Sequence, residues 1–174
     1  TVNASDGTNT VSQGLTISAS NVNEAPSLSI TLAASSFPES SVVGTTVATS
    51  SASDAESGSI TYSLSGTDSG KFAIASNGTV TIGSLLDYET KQAYSVTVNA
   101  SDGTYTTSQS LTVTTTNVNE VPTLSSTLAA SSFAESSVVG TTVATSSASD
   151  PDADALTYSL TGTDSGKFAI ASNG

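Results

Sequence analysis

The sequence predicts an all-β chain of tandem sandwiches, and three observations carry that prediction. First, apolar residues alternate with Ser and Thr over short runs, most plainly at Val96/Val98/Ala100 and Leu111/Val113, as half-buried strands require. Second, turn formers punctuate those runs and no stretch carries a helical period. Third, the pattern repeats: residues 1–8 recur as 97–104, and the pairs Phe37/Phe133, Asp54/Asp150 and Tyr62/Tyr158 share the same 96-residue offset. Between 35–54 and 131–150 the only difference is Pro38 against Ala134.

That period sets the frame. Residues 1–23 are the closing strands of one unit, 24–119 a complete unit, and 120–174 the opening part of a third. Within the complete unit seven strands are expected, at 28–32, 42–49, 60–64, 72–74, 79–82, 94–100 and 107–115. The turn signals between them are Ser57-Gly58, Asp68-Ser69-Gly70, Asn77-Gly78 and Asp102-Gly103. Ser and Thr on the outward positions suit strands better than helices. With no Trp and 5% aromatic residues, the core is built from Val, Ile, Leu and Ala. Seven short strands in a unit of this length form an immunoglobulin-like Greek-key β-sandwich.

The charge balance excludes several functions. Fifteen acidic residues face three lysines (Lys71, Lys91, Lys167), giving a formal net charge of −12. Nothing here neutralises phosphates, so nucleic acid and anionic membrane are not partners, and no membrane span occurs in this window. The absence of His and Cys removes zinc sites, thiol chemistry and His-based catalytic triads. Zero cysteines leave the compartment open by redox logic. Calcium, which takes carboxylate and carbonyl oxygens, is the metal this composition can serve.

The carboxylates gather at strand ends. Asn117-Val118-Asn119-Glu120-Val121-Pro122 and its near-copy Asn21-Val22-Asn23-Glu24-Ala25-Pro26 each close a unit, with a Pro that forbids the strand from running on. Glu39, Asp54/Glu56, Asp87/Glu89 and Asp102 complete the set, with Asp68 apart. In an extended Asp87-Tyr88-Glu89 segment the two acids point the same way and share an ion; Asp150-Pro151-Asp152-Ala153-Asp154 repeats that logic. Like charges about 4 Å apart repel by roughly 1–4 kcal/mol per pair near a surface, so such a cluster splays its junction unless cations neutralise it. Asp68 and Asp164 read as solvated turn formers, and Lys71 and Lys167 as stems covering apolar surface.

In order and spacing, Pro38-Glu39, Asp54-Ala55-Glu56, Leu86-Asp87-Tyr88-Glu89, Ala100-Ser101-Asp102-Gly103 and the 117–122 junction resemble a cadherin repeat. So does Gly66 through Phe72-Ala73-Ile74 followed by Asn77-Gly78. Low charge and near-identical units resemble the cadherin-like arrays of giant microbial surface proteins. The resemblance implies calcium between consecutive repeats. At 117–122 it implies ligands Glu39, Asp87, Glu89, Asn117, Asn119, Glu120, Asp150 and Asp152, with the carbonyl of Val118. At 21–26 it implies Asn21, Asn23, Glu24, Asp54, Glu56 and Asp102. The family has Asp where Asn21, Asn117, Glu24 and Glu120 stand, and Asp-x-Asp where Asp54-Ala55-Glu56 stands, so the two junctions are expected to differ in affinity.

Other motifs fail on inspection. Asp150-x-Asp-x-Asp begins like an EF-hand loop, but Ala155 and Thr161 occupy its required Gly and Glu positions. Gly66–Lys71 falls one residue short of a phosphate-binding loop. Asn3, Asn77 and Asn99 each head a glycosylation sequon. A carbohydrate-binding platform would draw on Tyr88, Tyr94 and Tyr105, which form no visible cluster. The leading expectation is therefore a calcium-rigidified stalk or adhesin region of an extracellular, cell-surface protein, partnered by adjacent repeats of its own chain. A filament subunit exchanging strands with neighbouring copies is second, a carbohydrate-binding module third, and an enzyme last.

Overall fold

The computed structural model describes residues 1–56 and 58–174, so the expected Ser57-Gly58 turn begins on a residue outside the described set. Apart from two single 3-10 turns, at Ser69–Lys71 and Ser165–Lys167, the regular structure is all strand.

Strands β1 (Val2–Ser5) and β2 (Thr10–Gln13) form a hairpin. Next come β3 (Ser27–Leu32), β4 (Phe37–Pro38), β5 (Thr46–Ser53), β6 (Thr61–Ser65), β7 (Phe72–Ile74), β8 (Thr79–Ile82), β9 (Ala93–Ser101) and β10 (Thr106–Thr116). They build two four-stranded sheets, ordered β3-β5-β8-β7 and β4-β10-β9-β6. The chain changes sheet at β3→β4, β4→β5, β5→β6, β6→β7 and β8→β9, the Greek-key wiring of an immunoglobulin-like sandwich. Finally β11 (Thr123–Leu128) pairs with β12 (Ala144–Ser149) in the register of β3 with β5. The hairpin β1–β2 likewise reproduces the register of β9–β10.

Alternation decides what is buried. Val47, Val80 and Ile82 from one sheet meet Val96, Val98 and Val113 from the other, all at or near zero exposure. Phe37, Phe72, Leu86, Tyr94 and Leu111 close the core around them. Outward positions on β9 and β10 are mostly Ser and Thr, with Ala93, Asn99 and Gln109.

Two details differ from the sequence reading. The two residues of β4 carry no periodic signal, yet their parallel pairing with the end of β10 brings Glu39 N–H onto the Thr116 carbonyl at 3.1 Å. The strand expected at 42–49 begins only at Thr46. Gly44 adopts φ +95°, and Thr45 N–H turns back onto the Val42 carbonyl at 3.1 Å. The β-branched Val42 and Val43 are therefore exposed in a turn.

A repeat-to-repeat difference shows in the first sheet. Ser126 faces Ser146 and their hydroxyls pair at 2.9 Å, but the equivalent partner of Ser50 is Ile30. Ser50 Oγ is left buried without a partner. Ser50→Ala is expected to raise the unfolding free energy by about 1 kcal/mol in a urea titration, because an orphaned hydroxyl costs on that order. A loss of stability would show that the hydroxyl is satisfied.

Candidate metal centre

The junction at 117–122 is built around one buried carboxylate. Glu39, 5% exposed and placed by β4, accepts Tyr88 N–H at 2.6 Å on one oxygen and Val118 N–H at 2.8 Å on the other. A single side chain thus ties the segment carrying Asp87 and Glu89 to the linker. That segment is not extended, as alternate-residue logic supposed. It is a turn over Tyr88–Thr90, in which Asp87 Oδ1 accepts Thr90 N–H at 2.7 Å and the Asp87 carbonyl accepts Lys91 N–H at 2.9 Å. The turn still converges the acids: Glu39, Asp87 and Glu89 each offer an oxygen within 4.8 Å of the others.

A second triad overlaps the first. Glu89, Glu120 and Asp152 also place oxygens within 4.8 Å of one another, so Glu89 belongs to both groups. Asp152 Oδ2 accepts Glu120 N–H at 2.8 Å, which joins the linker to the following unit. Asn119 Nδ2 donates to the Glu120 carbonyl at 3.1 Å. Asp150 stands outside both triads. Its segment is again a turn, with Ala153 at φ +61° and Asp154 N–H folded back onto Asp150 Oδ1 at 3.3 Å.

The electrostatics are those of an excess of negative charge. Burial, then the charges of Glu39 and Asp152, push the Glu89 carboxyl above its ordinary value. Burial raises Glu120 as well, followed by Glu39, Glu89 and Asp152. Asp152 is held low, first by the Glu120 N–H and then by the Asn117 side chain. Glu120 Oε2 and Asp152 Oδ1 are shut from solvent without any hydrogen-bond partner. Orphaned carboxylate oxygens in an all-oxygen donor set fit a hard divalent cation and suit a thiolate- or imidazole-preferring metal poorly.

At the 21–26 junction the lower half of an equivalent arrangement is present. Asn21 Nδ2 donates to Glu56 Oε1 at 3.0 Å, and Glu24 N–H donates to Glu56 Oε2 at 3.2 Å, as Glu120 does to Asp152. Asp54 Oδ1 accepts Glu56 N–H at 2.9 Å while its Oδ2 is buried and unpartnered. Asn23 Nδ2 donates to Asp102 Oδ2 at 2.8 Å. Asp102 also caps its own turn through Thr104 and Tyr105 N–H, so the turn-forming role and the junction role coexist. Glu24 is raised, chiefly by its hydrogen bond to Glu56 and then by that group's charge. Among the described residues this junction forms no triad like those above.

Sequence reasoning missed a further group. Asp68, expected as a solvated turn former, is 9% exposed and takes both oxygens to Lys91 Nζ at 2.7 Å, with Ser95 N–H also at 2.7 Å. The Lys91 ammonium, then the Ser95 amide, hold its carboxyl below the usual range. Asp164, in the equivalent place, makes an exposed pair with Lys167 at 2.9 Å, as expected of a solvated residue. Lys71 does more than cover surface: its ammonium donates to the Leu85 carbonyl at 2.8 Å. Tyr94 lies in the core at 3% exposure and offers no ring platform for a sugar.

With this geometry in place, known proteins add four findings. Residues 33–119, half of the chain, match the sequence model of the cadherin domain. The Fat-like cadherin-related tumor suppressor homolog of Drosophila melanogaster is 36% identical over 73 residues, covering 41% of this chain and 2% of that protein. Human protocadherin-24 EC1-2 is 28% identical with a TM-score of 0.49, over 74% of this chain and 62% of that one. Mouse cadherin-23 EC22-24 is 28% identical with a TM-score of 0.48, over 87% of this chain and 52% of that one. The chain therefore spans less than two thirds of each of these relatives.

Proposed function

The chain belongs to the cadherin domain family, and from that premise we propose that it is a calcium-rigidified spacer in the stalk or adhesin region of a surface protein. Cadherin domains are extracellular repeats of adhesion proteins and generally bind Ca²⁺. Among the described residues no helix is long and apolar enough to cross a membrane.

The observation that carries the proposal is the sharing of Glu89. One triad lies within the 24–119 unit, and the other reaches through Glu120 to Asp152 of the next. Cations held by Glu39, Asp87, Glu89, Glu120 and Asp152 would neutralise both triads and fix one unit against the next. Asn117 and Asn119 would serve as neutral linker donors and Asp150 as an outer ligand. Asn21, Asn23, Glu24, Asp54, Glu56 and Asp102 would do the same at the preceding junction. The units are 1–23, 24–119 and 120–174, in an array of the kind giant microbial surface proteins carry.

Calcium titration by calorimetry at two pH values tests this. Glu89 and Glu120 have raised carboxyls, so the folded, cation-free chain binds protons more readily than the unfolded one as pH falls toward their range. Protonation there relieves repulsion and stabilises the cation-free fold, while calcium needs the ionised groups. Calcium binding is therefore expected at pH 7 and markedly weaker near pH 5. No binding at pH 7, or equal affinity at both values, would contradict the proposal.

A further inference from the structure

The irregular segment between β8 and β9 carries Asp87 and Glu89 and is tied back to the sandwich through Lys71, Tyr94 and the Lys91–Asp68 pair. Lys71 and Lys91 are the lysines of the 24–119 unit; the Lys71 ammonium bonds to this segment, and Lys91 belongs to it and reaches out to Asp68. Lys71 Nζ holds the Leu85 carbonyl at 2.8 Å. Lys91 Nζ is clamped by both oxygens of Asp68 at 2.7 Å and sits 5.7 Å over the Tyr94 ring. Asp68 is itself anchored on β9 by Ser95 N–H. The Tyr94 hydroxyl accepts Asp87 N–H and donates to the Asp87 carbonyl, each at 3.0 Å, while its ring packs edge-on against Phe72 at 6.3 Å. The backbone on either side of the turn is thus fastened to the core before any ion arrives.

We propose that Lys91, clamped by Asp68, together with the Tyr94 hydroxyl, positions the Asp87–Glu89 turn and so sets the calcium affinity of the junction. The inference rests on the calcium reading above and concerns residues that touch no ion. A carboxylate holding a metal is only as well placed as the groups that orient it, and loss of such outer supports costs about 10–100-fold in metal affinity. Simple Coulomb reasoning makes the opposite forecast. A lysine near an acidic cluster repels a cation, so removing it should tighten calcium binding. The sign of the change separates the two.

The test measures the calcium dissociation constant of the full chain by calorimetry, with melting in chelator recorded beside it. Lys91→Met is expected to weaken binding by about tenfold or more, and Lys91→Arg, which can still engage Asp68, to return it close to the unmodified value. Tyr94→Phe keeps the buried ring and removes only the bonds to the Asp87 backbone, so it remains informative if Lys91→Met fails to fold; it too is expected to weaken binding. Unchanged or tighter binding in Tyr94→Phe, or in a folded Lys91→Met, overturns the proposal. If the unmodified chain itself binds no calcium, it is the parent reading that has failed.

Discussion

At a hundredfold excess of calcium over its dissociation constant, the melting temperature is expected to rise by about 10–20 °C for each ion bound. Each ion bound only by the folded chain adds about 2.7 kcal/mol at that excess, and a domain of this size gains about 4–8 °C per kcal/mol. Extracellular calcium modules bind at about 10⁻⁴–10⁻³ M, so millimolar calcium is the relevant range. The two triads make the effect separable. Glu89→Ala removes the residue common to both and should abolish most of the rise. Asp152→Ala leaves Glu39, Asp87 and Glu89 intact and should abolish only part of it. In chelator the sign is expected to reverse, with Glu89→Ala melting at or above the unmodified chain because it removes one member of a repulsive cluster. Calorimetric scans with and without calcium decide each point. An equal rise in all three proteins would remove the triads from the account.

Asp68→Ala is the second large effect. It leaves Lys91 without its partner and Ser95 N–H without an acceptor, in a site where Asp68 is 9% exposed. Breaking a fully buried pair from one side costs about 3–5 kcal/mol. The Lys91 side chain is 40% exposed, so water softens the loss, and about 3 kcal/mol is expected. Asp164→Ala provides the internal control, since the same Gly-Thr-Asp-Ser-Gly-Lys-Phe stretch recurs there with both partners exposed. Its cost should stay within about 0.5 kcal/mol. The pH dependence has a defined direction. Asp68 is depressed in the fold, so its contribution is complete above the ordinary aspartate range and fades as pH falls below it. Denaturant titrations at neutral and acid pH should therefore show the gap between Asp68→Ala and the parent closing toward low pH. A constant gap would place the cost in packing.

The contrast between Asp68 and Asp164 shows where the sequence was readable. Period-2 alternation located β9 and β10 to within two residues, because a strand with one buried face must write that pattern. It misplaced the start of β5, where Val42 and Val43 have strand-like side chains but Gly44 takes a conformation that ends any ladder. It missed β4, whose two residues are assigned to a sheet by their pairing with the end of β10, 78 residues away in the chain for both Phe37/Thr115 and Pro38/Thr116. The convergence of Glu39, Asp87 and Glu89, and of Glu89 with Glu120 and Asp152, was legible, and the reason for it was not. Asp87 and Glu89 meet through a turn braced by Glu39, Lys91 and Tyr94, and each brace comes from elsewhere in the chain or from backbone geometry. Asp68 was invisible for the same reason: its partner lies 23 residues away and leaves no local signature.

On the proposed reading, calcium fixes one unit against the next through the 117–122 junction. The chain has no cysteine, so Ser29→Cys and Ser147→Cys place two spin labels on exposed strand positions either side of that junction without background labelling. Pulsed electron–electron distances are the most direct measurement. One narrow distribution is expected in millimolar calcium, broadening on chelation and staying broad in Glu89→Ala at either condition. Superimposable distributions with and without calcium would contradict it.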